Sequence, residues 1–462
     1  DVARKFFTLD YLKQYVKILS FYKMNEFQIH LNDNGFPQFF NNDWKMTYAA
    51  FRLESERFPG LTAKDGSYTK QEFSNLQRMG MSYGVNVIPE IDIPAHSLAF
   101  THYKPEIGSK EYGMDHLDLY KDETYHFLDT LFDEYLSGEH PIFIGPDVHI
   151  GTDEYNKKEA EQYRYFTDRY LKYIEKYGKN PRMWGGLKWL PGKTPVKAGG
   201  VTVNAWSYDW IDPEASLKEG YQLINTCDTY LYIVPGAGYY REFLDHKWIY
   251  ESWSPWLMNS KQTLSEGTPG VLGGMFAVWN DMCGNGISEQ DVHLRSFPAI
   301  QVLAEKLWKG DNKIVSYESF EALCRIMPEA PGVNLLARIP KEMCLTPLGK
   351  VCLLSGTDTI RTALQEVGYP YVVSFKIYPD KDTNINGILF EGPHSKVYTN
   401  WENTGRIAFS RDGYTFVFGS YCLPKGKWTD ICISGDYKGT SLYVNGKLQE
   451  RLEGRKMKVY CK

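Results

Sequence analysis

The hexapeptide His149-Ile150-Gly151-Thr152-Asp153-Glu154 brings two adjacent carboxylates directly behind a short apolar run. Asp147 to Ile150 reads as a buried strand that stops at Gly151, and Lys157 to Tyr177 behind it has helical apolar spacing. In a barrel of alternating strands and helices, residues just past a strand lie on the face where chemistry is done. Two ionised carboxylates side by side repel and are costly to desolvate, so burial drives their pKa values apart. One then holds a proton at neutral pH while the other stays charged, which suits acid-catalysed bond cleavage. An exposed helix N-terminus, where acids favour the dipole, also accounts for two acids here, so the hexapeptide alone does not decide.

The elements that must position these acids repeat the same pattern along the chain. Glu26 to Leu31 is a β-like run ending in Asn32-Asp33, and Val85 to Pro89 ends in Glu90-Ile91-Asp92 with His96 close behind. Arg182-Met183 leads to Trp184, Val201 to Val203 leads to Trp206, and Gln222 to Thr226 leads to Asp228 and Tyr230. Gly273 to Val278 leads to Trp279-Asn280-Asp281. Helical periodicity covers Tyr11 to Met24, Lys70 to Tyr83, Glu123 to Leu136 and Gln290 to Trp308. Strands alternating with helices imply a parallel sheet. With a stub of an eighth strand at Val2-Ala3, ending in Arg4, the spacing predicts an α/β fold, a TIM (β/α)8 barrel over residues 1–310.

A chain of 462 residues exceeds what one core usually serves, so a second domain is expected. The formal net charge of -5 and the lack of a long basic run argue against nucleic acid as a main partner. No apolar stretch approaches the roughly 18 residues of a membrane helix. The 34 Tyr, 24 Phe and 12 Trp suit stacking on sugar rings, and equally suit a large core. The cysteines (Cys227, Cys283, Cys324, Cys344, Cys352, Cys422, Cys432, Cys461) contain no C-x-x-C pair and outline neither a zinc site nor a dense disulfide framework. Cys422 and Cys432 are compatible with neighbouring strands. The first strand is short of upstream residues, so both ends read as cut, and the lack of a leader says nothing about export.

Residues 311–342 are polar and Pro-rich (Pro328, Pro331, Pro340) and read as a connector with a helix around Tyr317 to Ile326. Beyond it, short alternating runs (Val372 to Tyr378, Gly387 to Glu391, Arg406 to Ser410, Tyr414 to Gly419, Trp428 to Ser434, Ser441 to Val444) are separated by turn signals such as Asn445-Gly446. This is all-β sandwich patterning over residues 343–462. Gly426-Lys427-Trp428-Thr429-Asp430-Ile431, followed by Ser441 to Lys447, resembles the concanavalin-like/laminin-G superfamily. That resemblance implies an incomplete jelly-roll sandwich, read as a structural accessory in preference to a ligand-binding module.

Five segments in order carry a second resemblance: Asp1-Val2-Ala3-Arg4-Lys5-Phe6, Phe27 to Asp33, Pro89 to Ser97, His149 to Glu154 and Ala304 to Trp308. Together they resemble the catalytic barrel of family 20 glycoside hydrolases, the β-N-acetylhexosaminidases, with Ala95 and Thr152 standing where the family pattern has glycine. The resemblance implies exo-acting, substrate-assisted retaining hydrolysis, in which the sugar's own 2-acetamido oxygen attacks C1. It implies Glu154 as general acid and then base, Asp153 as the partner of the acetamido N–H, and Tyr230 as donor to the acetamido oxygen. Trp184, Trp206 and Trp279 would enclose the acetamido group and sugar face. Arg4, Asp33 and Asp281 would bind hydroxyls of the terminal sugar, with Asp92, His96 and His149 supporting the acids. No metal or organic cofactor is implied, the partner is a glycan with terminal β-linked N-acetylhexosamine, and export is expected.

Both acids reach one pocket only if the chain bends after Gly151, because adjacent residues of a regular strand face opposite ways. Three other readings stand beside the leading one. A lacto-N-biosidase-like member of the same family would release a disaccharide. A metal-dependent hydrolase would gather His30, Asp33, Asp92, His96, His149 and Asp153 as ligands, although no compact H-E-x-x-H motif is present. A sugar-binding protein with a dead barrel would be expected to lose Glu154. Neither G-x-S-x-G nor a P-loop motif occurs.

Overall fold

Seven parallel strands lie side by side in chain order: Glu26–His30, Asn86–Ile93, Asp147–Gly151, Asn180–Trp184, Thr202–Ala205, Gln222–Asn225 and Val271–Gly274. A computed structural model describes residues 1–462 except 284–286, 311–314, 340, 346–358, 363, 365–366, 381–386, 393–394, 412–413, 437–438 and 454–462. Buried on both faces, parallel strands carry apolar residues almost continuously, and Asp147–Gly151 and Thr202–Ala205 are buried at every position. Val2-Ala3, expected as an eighth strand, is not in a strand, and the chain start bonds instead to the first strand and to Val278 beyond the last. Val2 N donates to His30 O (3.2 Å) and Asp1 N donates to Val278 O (3.0 Å). The architecture is that of a curled parallel sheet consistent with a TIM barrel.

Helices between the strands follow the expected periodicity within a few residues: Leu9–Phe21, Lys70–Ser82, Asp122–Leu136, Ala160–Lys176 and Glu289–Lys309. Local chemistry sets their starts. Thr8 Oγ1 accepts from Tyr11 N, and Thr69 with Glu72 forms a reciprocal capping box. The last barrel strand departs from the sequence expectation. It divides into Val271–Gly274 and Ala277–Val278, and the second piece pairs in parallel with Tyr232–Ile233.

The chain divides into two compact units, chiefly Asp1–Gly284 with Arg295–Val333, and Asn285–Leu294 with Asn334–Lys458. The helix expected around Tyr317 to Ile326 is present at Tyr317–Ile326, within the first unit. The second unit contains two four-stranded antiparallel sheets. Its core is Ile407, Phe418, Leu423, Ile431, Ile433, Leu442 and Val444, and Thr429–Asp436 alternates buried and less buried residues as a sheet with one covered face should. Asn445 and Gly446 both take positive φ (49° and 78°), as a tight hairpin requires. Cys422 and Cys432 fall in different sheets, and both are free thiols; Cys352 and Cys461 lie outside the described residues. Among the described residues, no helix is long and apolar enough to cross a membrane.

Candidate active site

The bend that the adjacent acids require is present. Gly151 has φ 69°, and a Cβ there would lie 1.7 Å from Asp92 Oδ1, so side chain and backbone both demand glycine. Thr152 (φ 77°) and Glu154 (φ 51°) continue in the left-handed region, a conformation that non-glycine residues rarely hold without support. Thr152 has that support: its N–H donates to Asp92 Oδ1 (3.2 Å), and its carbonyl accepts from the Tyr163 hydroxyl. Both acids consequently face one imidazole. His96 Nε2 lies 3.8 Å from Asp153 Oδ1 and 3.4 Å from Glu154 Oε2.

On its other side His96 Nδ1 donates to Asp33 Oδ1 (2.9 Å). Asp33 Oδ2 accepts from His30 Nε2 (2.7 Å) and meets Arg4 Nη2 at 2.8 Å. Arg4 is buried, and its guanidinium also lies 3.4 Å from Asp281 Oδ1 and 3.1 Å from Asp1 Oδ2. Asp1 was not among the residues singled out from sequence, yet its carboxylate also accepts from Ala3 N, Arg4 N and Asn280 N. It orients Arg4 and ties the first segment to the last strand's end. Asp281 accepts a further bond from the Tyr239 hydroxyl (2.7 Å), another residue the sequence did not single out.

Glu90 is the hub beneath this layer. One oxygen accepts from Trp184 Nε1 (2.6 Å), the other from Gln28 Nε2 (2.8 Å), and His30 Nδ1 is 3.1 Å away. Glu90 and Asp92 are two apart on one strand and so share a face, a signal that was present in the sequence. His149 Nδ1 accepts from Gly151 N (3.0 Å), which leaves its proton on Nε2. Burial outweighs the nearby Glu90 charge and pushes the His149 imidazole down to about 4, so it stays neutral.

Trp184, Trp206 and Tyr232 share one buried cluster, with Trp279 packed against it. Trp184 and Trp279 lie 5.5 Å apart, and the Tyr232 ring meets Trp279 edge-on at 5.7 Å. Trp184 is only 1% exposed, so it backs this aromatic wall while the half-buried Trp279 presents a face. Tyr230, expected to donate to the acetamido oxygen, lies apart from this cluster. Its ring stacks on Trp248 at 4.4 Å and packs with the separate Leu231–Ile233–Trp253 cluster. The cause is local: Asp228–Leu231 is a short helix, and the extended chain resumes only at Tyr232. Burial, and then the charge of Asp153, push the Tyr232 hydroxyl well up.

Charge in the site follows from burial and the central imidazole. Burial raises the Asp153 carboxyl to about 6, with the Glu154 charge adding to it and His96 opposing. Burial would also raise Glu154, but the adjacent His96 imidazolium and Arg4 outweigh it and hold Glu154 below its usual range. Asp92, buried beside Asp153, is pushed well up and so keeps its proton. Asp153 thus binds a proton more tightly than Glu154 in the unliganded site, the reverse of the order that acid catalysis by Glu154 uses. Asp153 Oδ1 is buried without a hydrogen-bond partner and has only the His96 charge at 3.8 Å, with His96 Nε2 beside it. Buried polar atoms are normally satisfied, so this group is laid out for a polar ligand.

Two sets of side chains, His30–Glu90–Asp92 and Asp92–His96–Asp153, bring potential metal-ligand atoms within 4.8 Å of one another. His30 bonds Asp33, His96 bonds Asp33, and Asp92 bonds Thr152. One atom each of His30, His96 and Asp92 is thus already engaged by a neighbour outside the two sets.

Residues 1–311 match the family model for the catalytic domain of glycosyl hydrolase family 20. A β-hexosaminidase of Akkermansia muciniphila is 28% identical over 273 residues, 50% of this chain and 52% of that protein. A β-hexosaminidase of Porphyromonas gingivalis is 24% identical over 252 residues, 46% of this chain and 29% of that protein. The chain thus matches about half, or less, of the length of these relatives. Among solved structures, β-N-acetylhexosaminidase from Bacteroides fragilis aligns with a TM-score of 0.56 at 23% identity, covering 70% of this chain and 67% of that one. Flavobacterium johnsoniae chitobiase aligns with a TM-score of 0.55 at 24% identity, covering 70% and 49%. At these identities the structural likeness establishes the fold.

Proposed function

The chain belongs to glycosyl hydrolase family 20, and on that premise we propose that it is an exo-acting β-N-acetylhexosaminidase that removes terminal β-linked GlcNAc or GalNAc from glycans. The observation that carries this reading is the convergence of Asp153 and Glu154 on His96 beside an indole-lined pocket, with Arg4 held by carboxylates at its other side. The same reading takes the curled sheet as a closed (β/α)8 barrel, the second unit as a jelly-roll accessory, and the protein as exported to meet its glycans.

In the first step the acetamido oxygen forms a bond to C1 as the C1–O glycosidic bond breaks, and the Glu154 proton passes to the departing oxygen. Asp153 accepts a hydrogen bond from the acetamido N–H and balances the positive charge of the resulting oxazolinium. Tyr232, in place of Tyr230, donates to the acetamido oxygen and orients it. In the second step water attacks C1, its proton goes to Glu154, and the ring opens to regenerate the acetamide with retained configuration. The substrate N–H favours ionised Asp153, which moves the shared proton to Glu154 as the substrate seats.

The pH dependence follows from the coupled pair. The productive form needs one proton between Asp153 and Glu154, and the upper ionisation lies near 6. Above that pH both acids are charged in the free enzyme, so kcat/KM for an aryl N-acetylglucosaminide is expected to fall about tenfold per unit as pH rises past about 6. A profile flat from pH 5 to 8 would remove this assignment of the proton.

The rival of the same family, a lacto-N-biosidase, must admit galactose on the 3-hydroxyl of the GlcNAc. Arg4 is pinned by Asp1, Asp33 and Asp281, and Tyr239 closes on Asp281; a grip this fully braced supports the exo reading. Asp281, one methylene shorter than glutamate, is the feature that keeps the rival in view. Lacto-N-tetraose is expected to resist cleavage until a galactosidase exposes its GlcNAc, after which single GlcNAc is released. Product masses showing intact lacto-N-biose from the untreated tetrasaccharide would install the rival.

A further inference from the structure

Outside the catalytic residues, a ladder of rings continues from the pocket wall. Trp206 stands 5.3 Å from Trp210, and Trp210 stacks on Trp189 at 4.9 Å and 28°. The segments behind two consecutive strands build this ladder, and Lys188 N donates to Trp210 O (3.1 Å) to join them. One ammonium group sits on its outer ring, and two more sit on Tyr208, in the loop between Trp206 and Trp210. Lys157, three residues past Glu154, has Nζ 3.1 Å from the Trp189 ring centre. Lys188 and Lys261 share the Tyr208 ring, at 3.6 and 4.1 Å from its centre. The ring faces hold these cations by cation–π attraction, and Lys188 Nζ also donates to the Tyr208 carbonyl. Among the described residues none of the three has a carboxylate at ion-pair distance. Asp209, exposed in the same loop, is the one acid between Trp206 and Trp210.

Two like charges placed on one phenol ring without a counter-ion repel each other, and an anion beside them removes that cost. We propose that this rim is a binding site for an anionic substituent, a sulfate or a carboxylate, on the part of the glycan that leaves. The inference rests on the hydrolase reading above: the ladder starts at Trp206, buried with Trp184 and Tyr232, and runs through the partly exposed Trp210 and Trp189 to the surface. The rim selects among leaving groups, and the pocket selects the sugar released.

The experiment compares three substrates of the whole chain: GlcNAc β-linked to galactose, to 6-sulfated galactose, and to glucuronic acid. The ratio of kcat/KM for each charged substrate to the neutral one is read in the wild type, in Lys157→Gln, and in Lys188→Gln/Lys261→Gln. Glutamine keeps a donor for the Tyr208 carbonyl, and the neutral substrate is the internal reference for any loss of packing. A ratio above one is expected in the wild type, falling about 3- to 10-fold in the double variant, the size of one or two partly exposed ion pairs, and shrinking as salt is raised. Preference for the sulfated substrate alone, or for the uronate alone, identifies the anion. Hydrolysis of the neutral substrate with ratios near one, or ratios unchanged in the variants, overturns the rim and leaves the hydrolase reading standing. Failure to cleave any of the three overturns both.

Discussion

Glu154→Gln is expected to slow release of a sugar leaving group by about 10²–10⁴-fold, the usual worth of general acid catalysis. The substitution keeps the shape of the side chain and removes the transferable proton. Aryl glycosides with acidic phenols need little protonation on departure, so their first step should be nearly spared. The test is a series of aryl N-acetylglucosaminides of graded phenol pKa, with single-turnover kinetics to isolate bond cleavage. A loss that grows with leaving-group pKa supports the role. Equal losses across the series, with chemistry limiting throughout, would end it. The positive φ of Glu154 enters here as well: the amide suffers the same backbone strain as the acid, so Gln is a cleaner probe than Ala.

Tyr232→Phe is expected to lower kcat by about 10²–10³-fold, as loss of one donor aimed at a reacting oxygen commonly does, while Tyr230→Phe stays within a factor of about three. The contrast tests the proposed placement of the role at Tyr232. Both changes delete one hydroxyl, but Tyr232 is buried among the pocket rings and Tyr230 lies against Trp248. A plain glucoside, which lacks the acetamide, should be a poor substrate of the wild type and should show little further loss in Tyr232→Phe. The reverse ranking of the two tyrosine variants would return the role to Tyr230. Efficient cleavage of the glucoside would remove the assisted mechanism itself.

The two tyrosines show where sequence reading stops. Tyr230 and Tyr232 are both aromatic, both follow a β-like run, and share parity on a regular strand. The interruption by a four-residue helix at Asp228–Leu231 is too short for periodicity to register. Asp1 escaped for a different reason: a residue at the first position has no pattern around it, and its value comes from Asn280, 279 residues away. Glu90 was legible in principle, since it alternates with Asp92 on one strand face.

Local chemistry in the sequence was sufficient for much of the molecule. Apolar runs ending in acids or tryptophans marked the seven parallel strands and the end at which their functional side chains gather. A switch from helical to alternating period marked the second unit. The adjacency of Asp153 and Glu154 pointed to acid chemistry, and the five segments that resemble family 20 in order supplied the roles. Those features are carried by residue type and spacing within a dozen positions. Only the tertiary structure decided that Gly151 and Thr152 bend so that both acids meet His96, that Arg4 is braced by three carboxylates, and that Asp153 is pushed up while Glu154 is held down. Each of these depends on burial and on charges from strands far apart in the chain, and Coulomb energies in a dry interior answer to distance in space, which the order of residues does not contain.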